Sequence, residues 1–150
     1  MLKQINTQYI ILHTIKGFQL RFEEVRTSCG GRLTLNNDIS EVTIESPNRP
    51  SPSPPNAECE WIILAPGGHA VQLDFVGQLD IQSQYGCRSA GVEVRNGGTL
   101  SAPGLGRYCG RNPPGSIFST GNSLYVRYFN SLQNPGTGFQ ARVSIGISAT

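Results

Sequence analysis

The chain has 150 residues, one domain's length with some left over, and a hydrophobic content of 37% is enough to build a buried core. Its net charge is only +2 and its 12 basic residues are scattered, which excludes nucleic acid or an anionic membrane as the principal partner. Charged residues make up 15% while Gly and Pro number 18 and 10, a balance against long surface helices and for short strands joined by turns.

Along the chain, Tyr9-Ile10-Ile11-Leu12 is too short an apolar run for a signal peptide or a membrane span. Gly17-Phe18-Gln19-Leu20-Arg21-Phe22 alternates apolar and polar, as a half-buried strand does. Val42-Thr43-Ile44 is β-branched. The proline-dense stretch from Ser46 to Pro55 would, on its own, serve as a polyproline ligand, but between two strands it reads as a rigid surface loop. Cys59 to Leu64 and Ala70 to Phe75 flank Ala65-Pro66-Gly67-Gly68, which reads as a β-hairpin with His69 in a solvated turn. Trp61 reads as a core aromatic. Gly91 to Arg95 places Val92 and Val94 on one face before the turn Asn96-Gly97-Gly98. Ser123 to Phe129 does the same with Leu124, Val126 and Tyr128, and Gly138 to Val143 closes the series. Many short strands with turns between them predict an all-β sandwich.

The cysteines are four, Cys29, Cys59, Cys87 and Cys109. None forms a close pair, and neither His13 nor His69 stands near one, so the spacing is wrong for zinc. An even number points to two disulfides in an extracellular protein, with three connectivities open. Reduced, buried thiols in a cytosolic protein are the alternative. No glycosylation sequon occurs, since Asn122 and Asn130 each have Ser directly next. No catalytic constellation is present either: there is no zinc-binding helix motif, no nucleophile elbow and no phosphate-cradling loop. Asp74, Asp80 and Glu93 read as exposed strand positions and not as a general acid–base pair, so the chain is not expected to be an enzyme. One short repeat stands out: Gly17-Phe18-Gln19-Leu20-Arg21 is echoed by Gly138-Phe139-Gln140-Ala141-Arg142, about one domain length later.

In order, the chain also carries Cys29-Gly30-Gly31, Ile44-Glu45-Ser46-Pro47-Asn48-Arg49-Pro50, Cys59-Glu60-Trp61, the Val71 to Phe75 strand, and Cys87 with Val92-Glu93-Val94. Arg107-Tyr108-Cys109-Gly110, Ser123-Leu124-Tyr125-Val126 and Thr137-Gly138-Phe139 follow. In this order the pieces resemble a CUB domain. The resemblance implies a jelly-roll-like β-sandwich of two antiparallel sheets with two disulfides, Cys29–Cys59 and Cys87–Cys109. It implies a CUB domain over residues 29–146, a tail over 147–150, and residues 1–26 as the C-terminal remnant of a preceding CUB domain. Such immediate tandem repetition resembles multi-CUB endocytic receptors of the cubilin type. The implied partners are an extracellular protein ligand and neighbouring CUB domains in cis, with no nucleic acid and no direct membrane insertion. The implied location is extracellular or at the cell surface, as part of a longer protein. The alternatives are an accessory domain of a secreted astacin-like or trypsin-like protease, or a spacer repeat with no ligand of its own.

Many CUB domains hold one calcium ion in the loops at one end of the sandwich, using carboxylates that then receive a Lys or Arg of the partner. The corresponding positions here are Gln82, Ala90 and Leu132, so no carboxylate remains among them. Asp80 lies nearby and is the one candidate substitute. No cofactor is therefore expected, and no ligand-binding residue is singled out.

Overall fold

The computed structural model describes the backbone of residues 5–15 and 19–148 and the side chains of residues 29–146. Ten strands follow one another: β1 (Ile5–Ile15), β2 (Gln19–Thr34), β3 (Glu41–Glu45), β4 (Glu58–Leu64), β5 (His69–Phe75), β6 (Ala90–Arg95), β7 (Gly104–Tyr108), β8 (Ile117–Phe118), β9 (Ser123–Asn130) and β10 (Gln140–Ser148). They form a six-stranded sheet in the order β1-β2-β4-β9-β6-β7 and a four-stranded sheet in the order β3-β10-β5-β8. One short 3₁₀ turn, Gln84–Gly86, is the only other regular element among the described residues. The chain is an all-β sandwich, as its alternating apolar pattern predicts.

The alternation also sets the faces. In β4, Cys59, Trp61 and Ile63 point inward and are fully buried; in β9, Leu124, Val126 and Tyr128 do the same. Val71 and Leu73 of β5 and Val143 of β10 close the core from the smaller sheet. Trp61, Tyr128 and Phe139 are the largest side chains fully enclosed. The Phe139 ring lies 5.7 Å from Trp61, edge to face, and 5.7 Å from Tyr128. Phe75 completes the aromatic centre at 6.0 Å from Phe139.

Both disulfides join elements of the sandwich. Cys29 and Cys59 are directly registered partners of β2 and β4, with Cα atoms 4.6 Å apart. Cys87 and Cys109 tie the connection before β6 to the residue after β7, with Cα atoms 5.5 Å apart. Closing loops of this size restricts the unfolded chain enough to stabilise the fold by about 3 kcal/mol each in the chain-entropy model.

Four expectations change. The hairpin of residues 59–64 and 70–75 does not form: β4 belongs to the large sheet and β5 to the small one. The connection Ala65 to Gly68 carries the chain across the core, so that Trp61 and Ile63 face Val71 and Leu73 from the opposite layer, and His69 is the exposed first residue of β5. The large sheet is not purely antiparallel, because β2 pairs with β4 in parallel. That pairing is possible because the chain between them crosses to the other sheet as β3. Gly30 (φ 102°) is required there, since a Cβ at that position would strike the Glu60 carbonyl. The proline-dense loop is only partly surface: Ser46, Pro47 and Ser53 are buried. The Ser53 N–H donates to the Gly136 carbonyl at 3.0 Å, and the Asn130 amide donates to the Pro54 carbonyl at 2.8 Å. Finally, β10 runs to Ser148, into the stretch read as a tail.

At the other terminus, β2 runs without a break through the segment between residues 26 and 29, and β1 pairs with it antiparallel. Residues 16–18, and so the start of the Gly17 to Phe22 motif, lie outside the described residues, as does the His13 side chain.

Candidate functional site

Four connections meet at the end of the sandwich where β4, β6 and β10 begin: residues 46–57, 76–89, 109–116 and 131–139. Short backbone bridges weld them. Asp80 pairs with Gly138, and Ile81 with Gly110, outside the named strands. The Gln82 N–H donates to the Pro135 carbonyl at 2.7 Å, and the Ser131 N–H to the Ser89 carbonyl at 2.8 Å. Gly138 (φ 92°) sits so close to Ser46 that a Cβ would overlap its hydroxyl. That hydroxyl accepts from the Phe139 N–H at 3.0 Å and donates to the Thr137 carbonyl at 3.3 Å. The loop end is therefore anchored directly to the aromatic centre of the core.

Gln82, Ala90 and Leu132 all fall here. Ala90 is registered opposite Asn130 in β9, two residues before Leu132. The three bring a single side-chain oxygen between them. Ala90 is fully buried and brings no oxygen, Leu132 packs against the hydrophobic core, and only the exposed Gln82 carries a side-chain oxygen. No group of three or more His, Cys, Asp or Glu side chains gathers at one point among the described residues.

Asp80 has another task. Its Oδ2 accepts hydrogen bonds from the Thr137 backbone N–H at 3.0 Å and from the Thr137 hydroxyl at 2.9 Å. These two bonds, with smaller help from the Arg111 and Arg49 guanidiniums, hold its carboxyl below the ordinary value of 3.8 against a partial burial that would raise it. A lowered folded value means that Asp80 stabilises the fold above about pH 4 and that this contribution is lost as pH falls through its folded value. Asp80→Ala should lower the unfolding free energy by about 1–2 kcal/mol, read as a reduced urea midpoint at unchanged slope. A midpoint equal to that of the parent chain would show that the Thr137 contacts contribute nothing.

A second organised cluster lies on the outer face of the large sheet, and sequence reasoning misplaced its centre. Glu93 was expected to be exposed; it is 6% exposed. Arg95 contacts its Oε2 at 2.5 Å, Arg107 reaches the same oxygen at 3.6 Å, and Arg127 reaches Oε1 at 3.4 Å. Arg127 also pairs with Glu58 at 2.7 Å, and the Tyr125 hydroxyl donates to Glu60. The Arg127 and Arg107 guanidiniums lie 4.7 and 5.4 Å from the Phe129 ring centroid. Burial alone would push the Glu93 carboxyl up, but the three guanidiniums outweigh it and hold it below the ordinary range. The signal available in sequence was the charge alternation Glu93-x-Arg95 opposite Arg127, which needs the strand order to be read.

Asp74 accepts from Gln72 at 2.9 Å and from the Ser116 hydroxyl, so it too is engaged in surface hydrogen bonds. The described residues bring no histidine to either cluster, and no helix among them is long and apolar enough to cross a membrane.

The loop-closed, doubly disulfide-linked sandwich has clear counterparts. The family model described as CUB domain matches residues 29–143. The chain is 39% identical to the Cubilin homolog of Drosophila melanogaster over 129 residues and 34% identical to human Cubilin over 144 residues. These matches cover 83% and 95% of this chain but only 3% and 4% of those proteins. It is also 36% identical to the Drosophila melanogaster dorsal-ventral patterning protein tolloid over 132 residues, 88% of this chain and 12% of tolloid. Among solved structures, the calcium-bound MASP-1 CUB2 domain shares the fold with a TM-score of 0.63 at 22% identity, covering 75% of this chain and 96% of that one. With the motifs, both disulfides and the sandwich in agreement across residues 29–143, the chain belongs to the CUB domain family.

Proposed function

We propose that this chain is a non-catalytic, protein-binding repeat of a secreted or cell-surface multi-CUB protein of the cubilin type, and that it works without calcium. The observation that carries the reading is the loop end. The positions where ion ligands would stand hold a buried Ala90 and a core-packed Leu132, while Asp80 and Thr137 bind the loops together directly. The extracellular placement rests on the two disulfides, which persist in oxidising compartments. Support for residues 1–26 as the end of a preceding CUB domain comes from the human Cubilin match. It covers 95% of the chain, more than residues 29–150 alone make up.

The thermal midpoint of the chain should be the same to within about 1 °C in millimolar calcium and in EDTA, because a ligand that binds only the folded state raises the midpoint. A rise of several degrees with calcium would overturn the calcium-free reading. The similarity to tolloid keeps the accessory-domain alternative in view, and the adjoining coding sequence separates the two. Further CUB domains on both sides support the receptor type; an adjoining astacin-like or trypsin-like catalytic domain overturns it.

A further inference from the structure

From Cys29 onward, eight arginines and no lysine balance eight carboxylates, so this part of the chain is neutral overall. The balance does not hold locally. The four connections at the loop end carry Arg49, Arg88 and Arg111, and their single carboxylate is Asp80. Asp80 is already committed to Thr137. Of the strand arginines, Arg95, Arg107 and Arg127 pair with Glu93 and Arg142 with Glu41 at 3.9 Å, while Arg32 of β2, away from the loop end, makes no ion pair among the described residues. Among the described residues Arg49, Arg88 and Arg111 make no such ion pair, and the first and last of them act on Asp80 only through space.

Arg111 lines a cleft of about 220 Å³ together with the polar side chains of Asp80, Gln82, Ser83 and Asn134, the Asp80 carboxylate being held by Thr137 through its Oδ2. Two residues beyond Ser83, Tyr85 is 69% exposed, the most exposed of the large hydrophobic side chains among the described residues. Its backbone is left-handed (φ 55°), and so are Gly86 and Cys87 (φ 63° and 67°). A bulky side chain is disfavoured in that region, yet the turn is fixed at its end by the Cys87–Cys109 disulfide and displays the ring to solvent. An exposed tyrosine and arginines without ion pairs, carried by the same set of connections, are residue types enriched in protein-binding hot spots.

We propose that this loop end docks an acidic segment of a protein partner, one carboxylate entering the cleft against Arg111 and the segment passing over Tyr85, with no bridging metal. The proposal rests on the reading of the chain as a protein-binding repeat and gives that site its polarity. The partner contributes the carboxylate and this chain the guanidinium, the reverse of the arrangement in which a calcium-held acidic loop receives a partner's lysine. A polyanionic glycan fits less well, because polyanions need a continuous strip of cations, whereas the three arginines come from three separate connections and only Arg111 lines the cleft.

The test is an NMR titration of the full, oxidised chain with three probes: a blocked twelve-residue peptide of alternating Glu and Gly, its Gln counterpart, and a heparin-derived hexasaccharide. The acidic peptide should saturably shift the amides of residues 80–83, 111, 134 and 136, equally in calcium and in EDTA, and the Gln peptide should not. Arg111→Gln should weaken binding by about tenfold, as loss of one charge-assisted contact does, and Tyr85→Ser should weaken it as well. Arg142→Gln, on the smaller sheet, should leave it unchanged. Shifts elsewhere or none at all, equal binding by Arg111→Gln, or tighter binding of the hexasaccharide at the same residues would each overturn the proposal. If these fail while the midpoint stays indifferent to calcium, this inference alone falls; if the peptide binds only with calcium, the calcium-free reading falls with it.

Discussion

Replacing Phe139 with Ala should lower the unfolding free energy by about 3–5 kcal/mol, the range for deleting a large buried aromatic. Phe139 lies just before β10, fully buried between the sheets. Its ring touches Trp61 and Tyr128 of the large sheet and Phe75 of the small one, at 5.7, 5.7 and 6.0 Å. The cavity would therefore be walled by three rings held by two different sheets, and such walls relax little. The backbone of Phe139 also exchanges hydrogen bonds with Ser46, so the loss should loosen the loop end as well. Phe118→Ala serves as the control. Phe118 is 46% exposed, and its removal should cost less than about 1 kcal/mol. Urea unfolding at constant slope measures both. A loss below about 1.5 kcal/mol for Phe139→Ala would mean that the sheets close over the gap, which the rigidity of the aromatic centre argues against.

Glu93→Gln should cost about 2–3 kcal/mol, a large effect for a single charge. The side chain is 8% exposed and faces three guanidiniums; without its charge those cations repel one another across β6, β7 and β9. The figure is kept below that for a fully enclosed pair because Arg107 is 43% exposed and water screens it. Glu58→Gln removes a partner of Arg127 that is 51% exposed, and should cost less than about 1 kcal/mol. The pH dependence follows from the sign of the shift. The folded Glu93 value is below the ordinary 4.5, so its stabilisation is complete above that value and is lost as acid carries the pH down through the folded value. Glu93→Gln should remove this acid sensitivity together with the stability. A variant as acid-sensitive as the parent would place the titrating group elsewhere.

The strands with strong period-two alternation, β4, β6 and β9, were legible, and so was Trp61 as a core residue, because those signals are local. The strand partners were not. Ala65-Pro66-Gly67-Gly68 reverses the chain in the same way whether the next strand joins the same sheet or the opposite one, so β4 and β5 read as a hairpin when they face each other across the core. β7 contains Gly104 and Gly106, and β8 is two residues long; neither offers enough β-branched or alternating sequence to stand out. Glu93 read as exposed because polar residues on an outward strand face usually are; its burial comes from side chains on β7 and β9, 14 and 34 residues later. At the loop end, the absence of carboxylates at Gln82, Ala90 and Leu132 was legible by counting from Cys87. The Asp80–Thr137 contact joins residues 57 apart and depends on the register of the closed sandwich.

The direct registration of Cys29 with Cys59 has a mechanical consequence. If other domains flank this one, it would be loaded through its ends, and tension arriving from residues before Cys29 would peel β2 from the sheet one hydrogen bond at a time. The Cys29–Cys59 link diverts that tension into β4, which β9 flanks on its other side. The 30-residue separation between the two cysteines is then hidden from the pull and cannot lengthen. At the other end β10 lies between β3 and β5, so load leaving the domain must shear two strand neighbours at once. Under such a load the segments closed by the two disulfides, residues 29–59 and 87–109, would keep their length.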